Sequence, residues 1–283
     1  MGQIDLHVHS TASDGKYSPE EIIAKAAMLG LTTIALADHD SVDGIVPALE
    51  AAKAFPGLVV IPCVEISTDM PGGQAHILGY FIDYTSDELK SALERFRSSR
   101  QKRAHGMINK LGDLGIDIDW QRVQEIAGDG SIGRPHIAQA MLEKGYIATF
   151  VEAFNKYIGY GGPAYVEREK MTPVEAVELI IRIKGLPVLA HPFTVANSES
   201  TIIELKAAGM VGIEAYYNSY TADETKRLVS LADRYSLIAT GGSDYHGLDD
   251  SSETMLGGVD VPLEAVERLI ALADKRMLEM AKL

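Results

Sequence analysis

Short apolar strands alternate with capped helices along much of this 283-residue chain, and this alternation limits the fold more than any other feature. Ser18-Pro19-Glu20-Glu21 predicts a helix start, with an N-cap serine, a proline at the first helical position and acidic residues in the first turn. Thr172-Pro173-Val174-Glu175 repeats this pattern in the second half of the chain. Repeated strand–helix units predict an α/β fold with a parallel barrel, in which chemistry gathers at the C-terminal ends of the strands.

The alternation is interrupted by longer helices, which the 3.6-residue period predicts over 91–114 and 134–144. Strand and helix alternation resumes at 172. We therefore expect residues 1–90 and 172–283 to form the barrel, and residues 91–171 to form an inserted helical unit that acts as a lid and determines substrate specificity.

Composition and charge exclude several classes of protein. A net charge of −14 argues against a broad duplex nucleic-acid groove. The single cysteine, Cys63, excludes an intramolecular disulfide and a thiolate metal cage, so any metal must be bound by imidazoles and carboxylates. No apolar run is long enough to cross a membrane, and the first residues lack the pattern of a signal peptide. We expect a cytoplasmic protein without a membrane partner.

Six of the eight histidines lie on or just after predicted strands: His7, His9, His39, His76, His191 and His246. His7 and His9 are two residues apart, a spacing that places both imidazoles on the same face of a strand. Acidic residues that could offset bound cations accompany them, namely Asp14, Asp38, Glu65 and Asp244. One such histidine is usually a core or surface residue, but six at one barrel rim indicate a metal centre.

The order of the motifs resembles that of the polymerase and histidinol phosphatase (PHP) family: Asp-Leu-His-Val-His-Ser, Ala-Asp-His-Asp, Val-Glu-Ile, Ala-His-Ile, Ala-His-Pro and Gly-Ser-Asp-Tyr-His-Gly. The resemblance implies a distorted (β/α)7 barrel of the PHP type, with a helical insertion and up to three divalent metals. It also implies three ligand sets: His7, His9, Glu65 and Asp244; Glu65, His76 and His191; and Asp14, His39 and His246. Glu65 would then be the bridging ligand.

A hydroxide between two divalent cations is a strong nucleophile at neutral pH, because metal binding lowers the pKa of water from about 15.7 towards 7. We therefore expect a metal-bound hydroxide, with Glu65 as the bridging ligand, to hydrolyse a phosphoester. Two or three divalent ions are expected, with manganese first and zinc or iron as alternatives. Asp5, Asp38 and Asp40 are candidates for orienting the ligand imidazoles, or else for capping turns.

The insertion offers two basic features. In the first predicted helix, Arg97 and Arg100 project from within the apolar stripe and are expected to face inward, whereas Arg95 and Lys102 should point to water. A solvated basic face is the alternative. Arg134 and His136 lie at the start of the second predicted helix, where backbone N–H groups favour anions. Ordinary helix-start chemistry would explain the same residues.

Gly133-Arg134-Pro135-His136, together with Glu214-Ala215-Tyr216-Tyr217-Asn218, resembles the small single-chain branch of PHP phosphoesterases. Members of that branch remove the 3′-phosphate from 3′,5′-nucleotide bisphosphates, and some trim the 5′ ends of RNA. The resemblance implies that Arg134 and His136 bind the distal 5′-phosphate. Tyr216, Tyr217 and Asn218 could line the sugar or base, although packing at the strand end would also explain the tyrosines.

These features predict a metal-dependent phosphatase that acts on a small nucleotide, with a 3′,5′-bisphosphonucleotide as substrate. The alternatives are 5′-to-3′ exonuclease action on short RNA ends and hydrolysis of histidinol phosphate. A noncatalytic, metal-stabilised PHP module is the alternative from another class. It would lack some of the nine ligands, and none is missing from this sequence.

Overall fold

The computed structural model describes residues 3–70, 73–128, 132–167, 171–195, 197–248 and 254–280. The chain divides into two compact units: unit 1 comprises residues 1–90 and 171–283, and unit 2 comprises residues 91–170. Within the described ranges, no helix is both long and apolar enough to cross a membrane.

Unit 1 contains a seven-stranded sheet in chain order: β1 (Ile4–Val8), β2 (Thr33–Leu36), β3 (Val59–Met70), β4 (Gly73–Tyr80), β5 (Leu186–Leu189), β6 (Gly212–Tyr217) and β7 (Ile238–Gly242). Neighbouring strands are parallel except at β4, which is antiparallel to both β3 and β5. The backbone after β7 pairs with β1, since Asp244 N–H donates to His7 O at 2.8 Å and His9 N–H donates to Tyr245 O at 2.9 Å. The sheet therefore nearly closes, which confirms the predicted distorted seven-stranded barrel.

The helices of unit 1, numbered in chain order across both units, are α1 (Pro19–Met28), α2 (Ile45–Ala52), α7 (Pro173–Arg182), α8 (Ser198–Ala207), α9 (Ala222–Arg234) and α10 (Leu263–Met280). At the start of α1, Ser18 Oγ accepts from Glu21 N–H, and the Glu21 carboxylate accepts from Ser18 N–H. Thr172 and Glu175 form the same reciprocal pair at α7. These capping boxes satisfy backbone donors that have no partner within the helix, so both predicted helix starts are confirmed.

Two hydrophobic clusters support the sheet. Leu6, Tyr80 and Val188 belong to the cluster that α10 joins through Leu269. The second cluster packs α1 against the first strands. Each fully buried aliphatic side chain contributes about 1.5–3 kcal/mol relative to exposure, so the strands form a rigid base for the side chains at their ends.

Unit 2 is helical, with α3 (Asp87–Asp113, which begins at the end of unit 1), α4 (Trp120–Ala127), α5 (Arg134–Glu143), α6 (Phe150–Ala153) and a π-helical turn over Phe154–Ile158. Its core includes Met107, Val123, Ile137 and Met141. Both predicted helices are confirmed. The first begins four residues earlier than predicted, where Asp87 and Glu88 occupy the first turn.

Candidate metal centre

Side chains from the C-terminal ends of the strands, together with His76 from the antiparallel β4, converge on one cluster in unit 1. It contains all nine predicted ligands: His7, His9, Asp14, His39, Glu65, His76, His191, Asp244 and His246. Parallel strands bring residues that are distant in sequence to one edge, so the predicted juxtaposition follows from the barrel.

Glu65 lies at the middle of this cluster and is fully buried. Its Oε1 is 2.9 Å from His76 Nδ1 and 3.2 Å from His191 Nε2. Its Oε2 is 2.8 Å from His39 Nδ1 and 3.4 Å from His7 Nε2. The two carboxylate oxygens therefore face different imidazoles, an arrangement that suits a bridging ligand.

Three overlapping groups bring possible ligand atoms within 4.8 Å of one another: His9, Asp14, His39 and His246; His7, His9 and Glu65; and His39, Glu65 and His76. The PHP resemblance places His9 and His39 in one predicted ligand set each. In the structure, each of them belongs to two of these three groups. Asp244 Oδ1 also approaches His9 Nε2, at 3.0 Å.

The donor atoms fit divalent metal ions. His7 Nε2, His9 Nδ1 and Glu65 Oε2 are buried, and none of the three forms a hydrogen bond within the described part of the chain, since Glu65 Oε2 is near His39 Nδ1 without hydrogen-bond geometry. Buried polar atoms are nearly always hydrogen-bonded, so three exceptions in one cluster need a reason. Imidazole nitrogens and carboxylate oxygens are ligands for manganese, zinc and iron, which supplies that reason.

The electrostatics also favour cations. Burial lowers the pKa of His9 to about 3, and nearby His246 contributes in the same direction, so this imidazole is neutral at neutral pH. Burial alone would raise the pKa of Glu65, but His39, His76 and His7 outweigh it and lower the pKa well below its usual value. Burial likewise opposes the charged form of His7, yet Glu214, Asp244 and Glu65 raise its pKa well above 6.5. The carboxylates therefore favour positive charge at the centre.

Glu214 is a site residue that the sequence analysis missed. This fully buried carboxylate on β6 has Oε1 at 2.9 Å from His7 Nδ1, while its Oε2 accepts from His191 N–H at 2.8 Å. A carboxylate on Nδ1 fixes the tautomer of an imidazole and directs Nε2 towards a metal. The available signal was an acid inside the apolar run Gly212-Ile213-Glu214-Ala215, the same signal that identified Glu65.

Asp5 and Asp38 require a correction, since their hydrogen bonds go to backbone and hydroxyl groups rather than to imidazoles. Asp5 accepts from Ser243 N–H at 2.9 Å and from Ser243 Oγ–H at 2.6 Å. Asp38 accepts from Ser10 N–H at 2.7 Å and Ser10 Oγ–H at 2.8 Å. Asp40 accepts from the backbone N–H of residue 67 at 2.9 Å. These carboxylates fix the chain segments next to the ligands, as the turn-capping alternative expected.

Two parts of the backbone around the centre are constrained. His191 and Asp244 have φ angles of 29° and 54°, in the left-handed region that non-glycine residues rarely adopt. Such conformations persist only where the surroundings enforce them, and Glu214 holds the His191 N–H. At Gly242, an added Cβ would lie 2.5 Å from His7 N, so only glycine allows β7 to approach β1 this closely.

Tyr217, rather than Tyr216, lies at the centre. Its hydroxyl donates to Asp244 Oδ2 at 2.8 Å. A register shift between Glu214 and Tyr216 breaks the alternation of β6, and Tyr217 thereby shares the inward side with Glu214. Tyr216 instead packs against the hydrophobic cluster that contains α10 residues, and its role as a substrate contact stays a prediction. Asn218 Nδ2 donates to Ser243 O at 2.6 Å and so fixes the chain after β7.

The predicted basic residues of the insertion lie in unit 2. Burial lowers the pKa of Arg134, and the nearby positive charge of Arg100 lowers it further, whereas Tyr165 raises it. The Arg134 guanidinium lies 5.4 Å from the centre of the Phe154 ring. His136 Nδ1 accepts from Gly133 N–H at 3.0 Å, which is helix-start chemistry. Arg97 and Arg100 are both partly buried, whereas Arg95 and Lys102 are exposed as expected.

The fold is shared with a solved structure, a predicted metal-dependent phosphoesterase from Bifidobacterium adolescentis. The two chains are 27% identical, with a TM-score of 0.85 and 95% of each chain covered. Together with the clustered histidines and carboxylates, this likeness defines the class as metal-dependent phosphoesterase.

Sequence comparisons identify the family. The PHP domain profile matches residues 5–110. A 5′-3′ exoribonuclease of Haemophilus influenzae is 35% identical, over 86% of this chain and 89% of its own. A 3′,5′-nucleoside bisphosphate phosphatase of Chromobacterium violaceum is 32% identical, over 93% of each chain. The chain belongs to the PHP family, and it is a hydrolase.

Proposed function

We propose that this enzyme hydrolyses the 3′-phosphate of 3′,5′-nucleotide bisphosphates and releases the 5′-mononucleotide and phosphate. One observation carries the proposal: besides the candidate metal centre, the chain brings two guanidinium groups together, since Arg100 Nη1 lies 3.9 Å from the Cβ position of Gly133, the residue before Arg134, and its charge helps to lower the pKa of Arg134. A substrate with two phosphates requires two anion sites. The name of the Chromobacterium violaceum relative supports the same substrate.

The candidate centre would hold two or three divalent ions, with manganese as the first expectation and zinc or iron as alternatives. Such ions, when bound, lower the pKa of water and neutralise the phosphoryl oxygens. Glu65 is suited to bridge ions because its oxygens face different imidazoles. Glu214 holds His7 with Nε2 directed towards Glu65, and Tyr217 holds Asp244 through Oδ2. No side-chain nucleophile is needed for this chemistry.

The second phosphate is proposed to bind Arg134, with Arg100 and Arg97 as further cations and His136 as a helix-start donor. A guanidinium forms bidentate hydrogen bonds to phosphate oxygens. A phosphate near both guanidinium groups would be attracted by two positive charges. His136 uses Nδ1 for the backbone, so Nε2 is the atom that it could offer.

Replacing Arg134 with alanine tests this role. Hydrogen bonds to charged groups contribute about 1.5–3 kcal/mol each, so we expect KM for 3′,5′-bisphosphoadenosine to rise by about 10- to 100-fold. The kcat/KM for a simple monophosphate ester should change less than about 2-fold, since that substrate has no second phosphate. Arg122→Ala, at an arginine that pairs with Glu143 on the surface of unit 2, is the matched control. Equal losses on both substrates would reject the distal-phosphate role.

A second candidate, 5′-to-3′ hydrolysis of short RNA, is favoured by the name of the Haemophilus influenzae relative. One assay distinguishes the candidates. The metal-loaded enzyme is incubated with 3′,5′-bisphosphoadenosine, histidinol phosphate and a 5′-phosphorylated short RNA, and kcat/KM is compared. The proposal expects the bisphosphate to be the best substrate. A higher kcat/KM for either of the others would overturn it.

A further inference from the structure

The negative charge of this protein is unevenly distributed. Residues 91–170 contain 12 Lys and Arg against 10 Asp and Glu, a net charge of +2, whereas the remaining residues contain 14 against 30, a net charge of −16. Residues 91–110 alone carry six basic side chains and one acidic side chain. Unit 2 is therefore the part of the chain where an anionic ligand is electrostatically favoured.

A groove lies on one face of α3. Its volume is about 350 Å³, and it is lined by Arg95, Ser98 and Lys102 of α3, with Val166 on the other side. Spacings of three and four residues place these α3 residues on the same side of the helix. Arg100 points about 140° away from Arg95 at about 100° per residue, and neither Arg100 nor Arg134 lines this groove.

The fold of unit 2 builds this groove. A Cβ added at Gly106 would lie 3.2 Å from Val166 Cγ2, so the glycine allows the segment around Val166 to lie against α3. Lys110 Nζ donates to Tyr165 O at 2.7 Å and fixes the same segment. The two walls are therefore held together by packing and by a hydrogen bond.

The lining indicates the class of ligand. Arg103 lines the wall and is only 5% exposed, while Arg95 and Lys102 are exposed. These cations, with the hydroxyl of Ser98, suit a phosphate. Glu94 and Glu167 line the same groove, and carboxylates accept hydrogen bonds from sugar hydroxyls. The volume also lies within the range of about 300–1,000 Å³ that is typical of small-molecule sites.

We propose that this groove is a noncatalytic nucleotide-binding site that binds the phosphate and ribose of a nucleotide, either free or within an RNA strand. It is distinct from the candidate metal centre and from Arg134, and it does not depend on which phosphoester the enzyme hydrolyses. A nucleotide bound here would add affinity for RNA or allow a free nucleotide to act as an effector.

Binding is measured with metal-free full-length protein in EDTA, so that the metal centre does not contribute. Fluorescence anisotropy follows a six-nucleotide RNA with a 3′ fluorophore, and unlabelled AMP serves as competitor. The test variant is Arg95→Glu/Lys102→Glu. The matched control is Lys144→Glu/Lys156→Glu, which makes the same charge change at two side chains of unit 2 that are 40% and 60% exposed.

The proposal expects RNA affinity to fall at least about 10-fold in the groove variant, because two phosphate contacts become repulsive, and less than about 2-fold in the control. Competition by AMP that is weakened in the groove variant would identify a site for free nucleotides, whereas RNA binding that AMP does not displace would identify a site for the strand. Absence of RNA binding, wild-type affinity in the groove variant, or equal losses in both variants would overturn the proposal.

Circular dichroism checks the fold, and Arg95→Gln/Lys102→Gln replaces the test variant if it does not fold. Phosphate release from the bisphosphate should be unchanged, which separates this test from that of the proposed function.

Discussion

Glu214→Gln is the substitution whose consequence follows most directly from the structure. Glu214 is fully buried, and its two oxygens serve different partners: His7 Nδ1 at 2.9 Å and His191 N–H at 2.8 Å. Glutamine has one acceptor oxygen and one NH₂ group. The backbone N–H of His191 can only donate, so it requires the oxygen, and the NH₂ must then face His7 Nδ1.

This change should reverse the tautomer of His7. With a carboxylate on Nδ1, that nitrogen keeps its proton when a metal displaces the proton of Nε2, so Nε2, 3.4 Å from Glu65 Oε2, is the atom that would bind the metal. With an NH₂ group on Nδ1, the proton moves to Nε2, and the atom that would bind a metal is blocked. Removing such an outer partner typically costs about 10- to 100-fold in metal affinity, or about 1.4–2.8 kcal/mol.

The assay is the dissociation constant for manganese and zinc, measured by competition with a fluorescent chelator, alongside the thermal midpoint of the metal-free protein. Glu204→Gln, at an exposed glutamate on α8, makes the same chemical change and should have no effect. Glu214→Asp retains the charge and should recover part of the affinity. ¹⁵N NMR of the histidines reports the tautomer directly. Wild-type metal affinity in a folded Glu214→Gln variant would refute the reasoning.

Three further predictions concern the same centre. His39→Ala should abolish turnover with little change in Tm. The control His105→Ala, which removes a ring stacked on Trp120 in unit 2, should leave turnover intact. Hydrolysis at the wild-type rate in His39→Ala would contradict the assigned site. Gly242→Ala should lower Tm by several degrees, because overpacking costs about 1–3 kcal/mol. Gly57 has open space around it, so Gly57→Ala should leave Tm unchanged. Differential scanning fluorimetry measures the Tm of both variants. The pKa of His9 is about 3 in the folded chain and near 6.5 in the unfolded chain, so the unfolded chain binds this proton more readily. The contribution of neutral His9 to the free energy of unfolding is therefore complete above pH 6.5 and is lost as the pH falls towards 3. The Tm of metal-free protein should therefore fall between pH 6.5 and 4.5, and an unchanged slope in His9→Gln would contradict this origin.

Much of the fold was predictable because its signals are local. The capping residues at Ser18 and Thr172 lie within four residues of the helix starts that they predict, and both form the expected capping boxes. The strand-end histidines were also predictable, since a parallel barrel brings the C-terminal ends of its strands to one rim. The antiparallel β4 does not change this outcome, because β3 and β4 pair side by side and place His76 next to Glu65.

The partners of these side chains depend on register between distant strands. His7 and Glu214 are 207 residues apart, and only the closed sheet brings them within hydrogen-bond distance. The shift in β6 that selects Tyr217 over Tyr216 is likewise a property of pairing with β7. Local sequence could identify Asp5 as a buried acid, but not that Ser243 and Gly257 are its partners.

The sequence by itself thus determined the barrel, the inserted helices and the residue types gathered at the rim, because alternation, capping and strand-end position are written in neighbouring residues. Only the tertiary structure decided how Glu65 divides its oxygens among the imidazoles, which carboxylate orients His7, and which face of α3 forms a groove with Val166. The physical reason is that hydrogen bonds and cavities are set by distances of a few ångströms between atoms that the chain separates by tens or hundreds of residues.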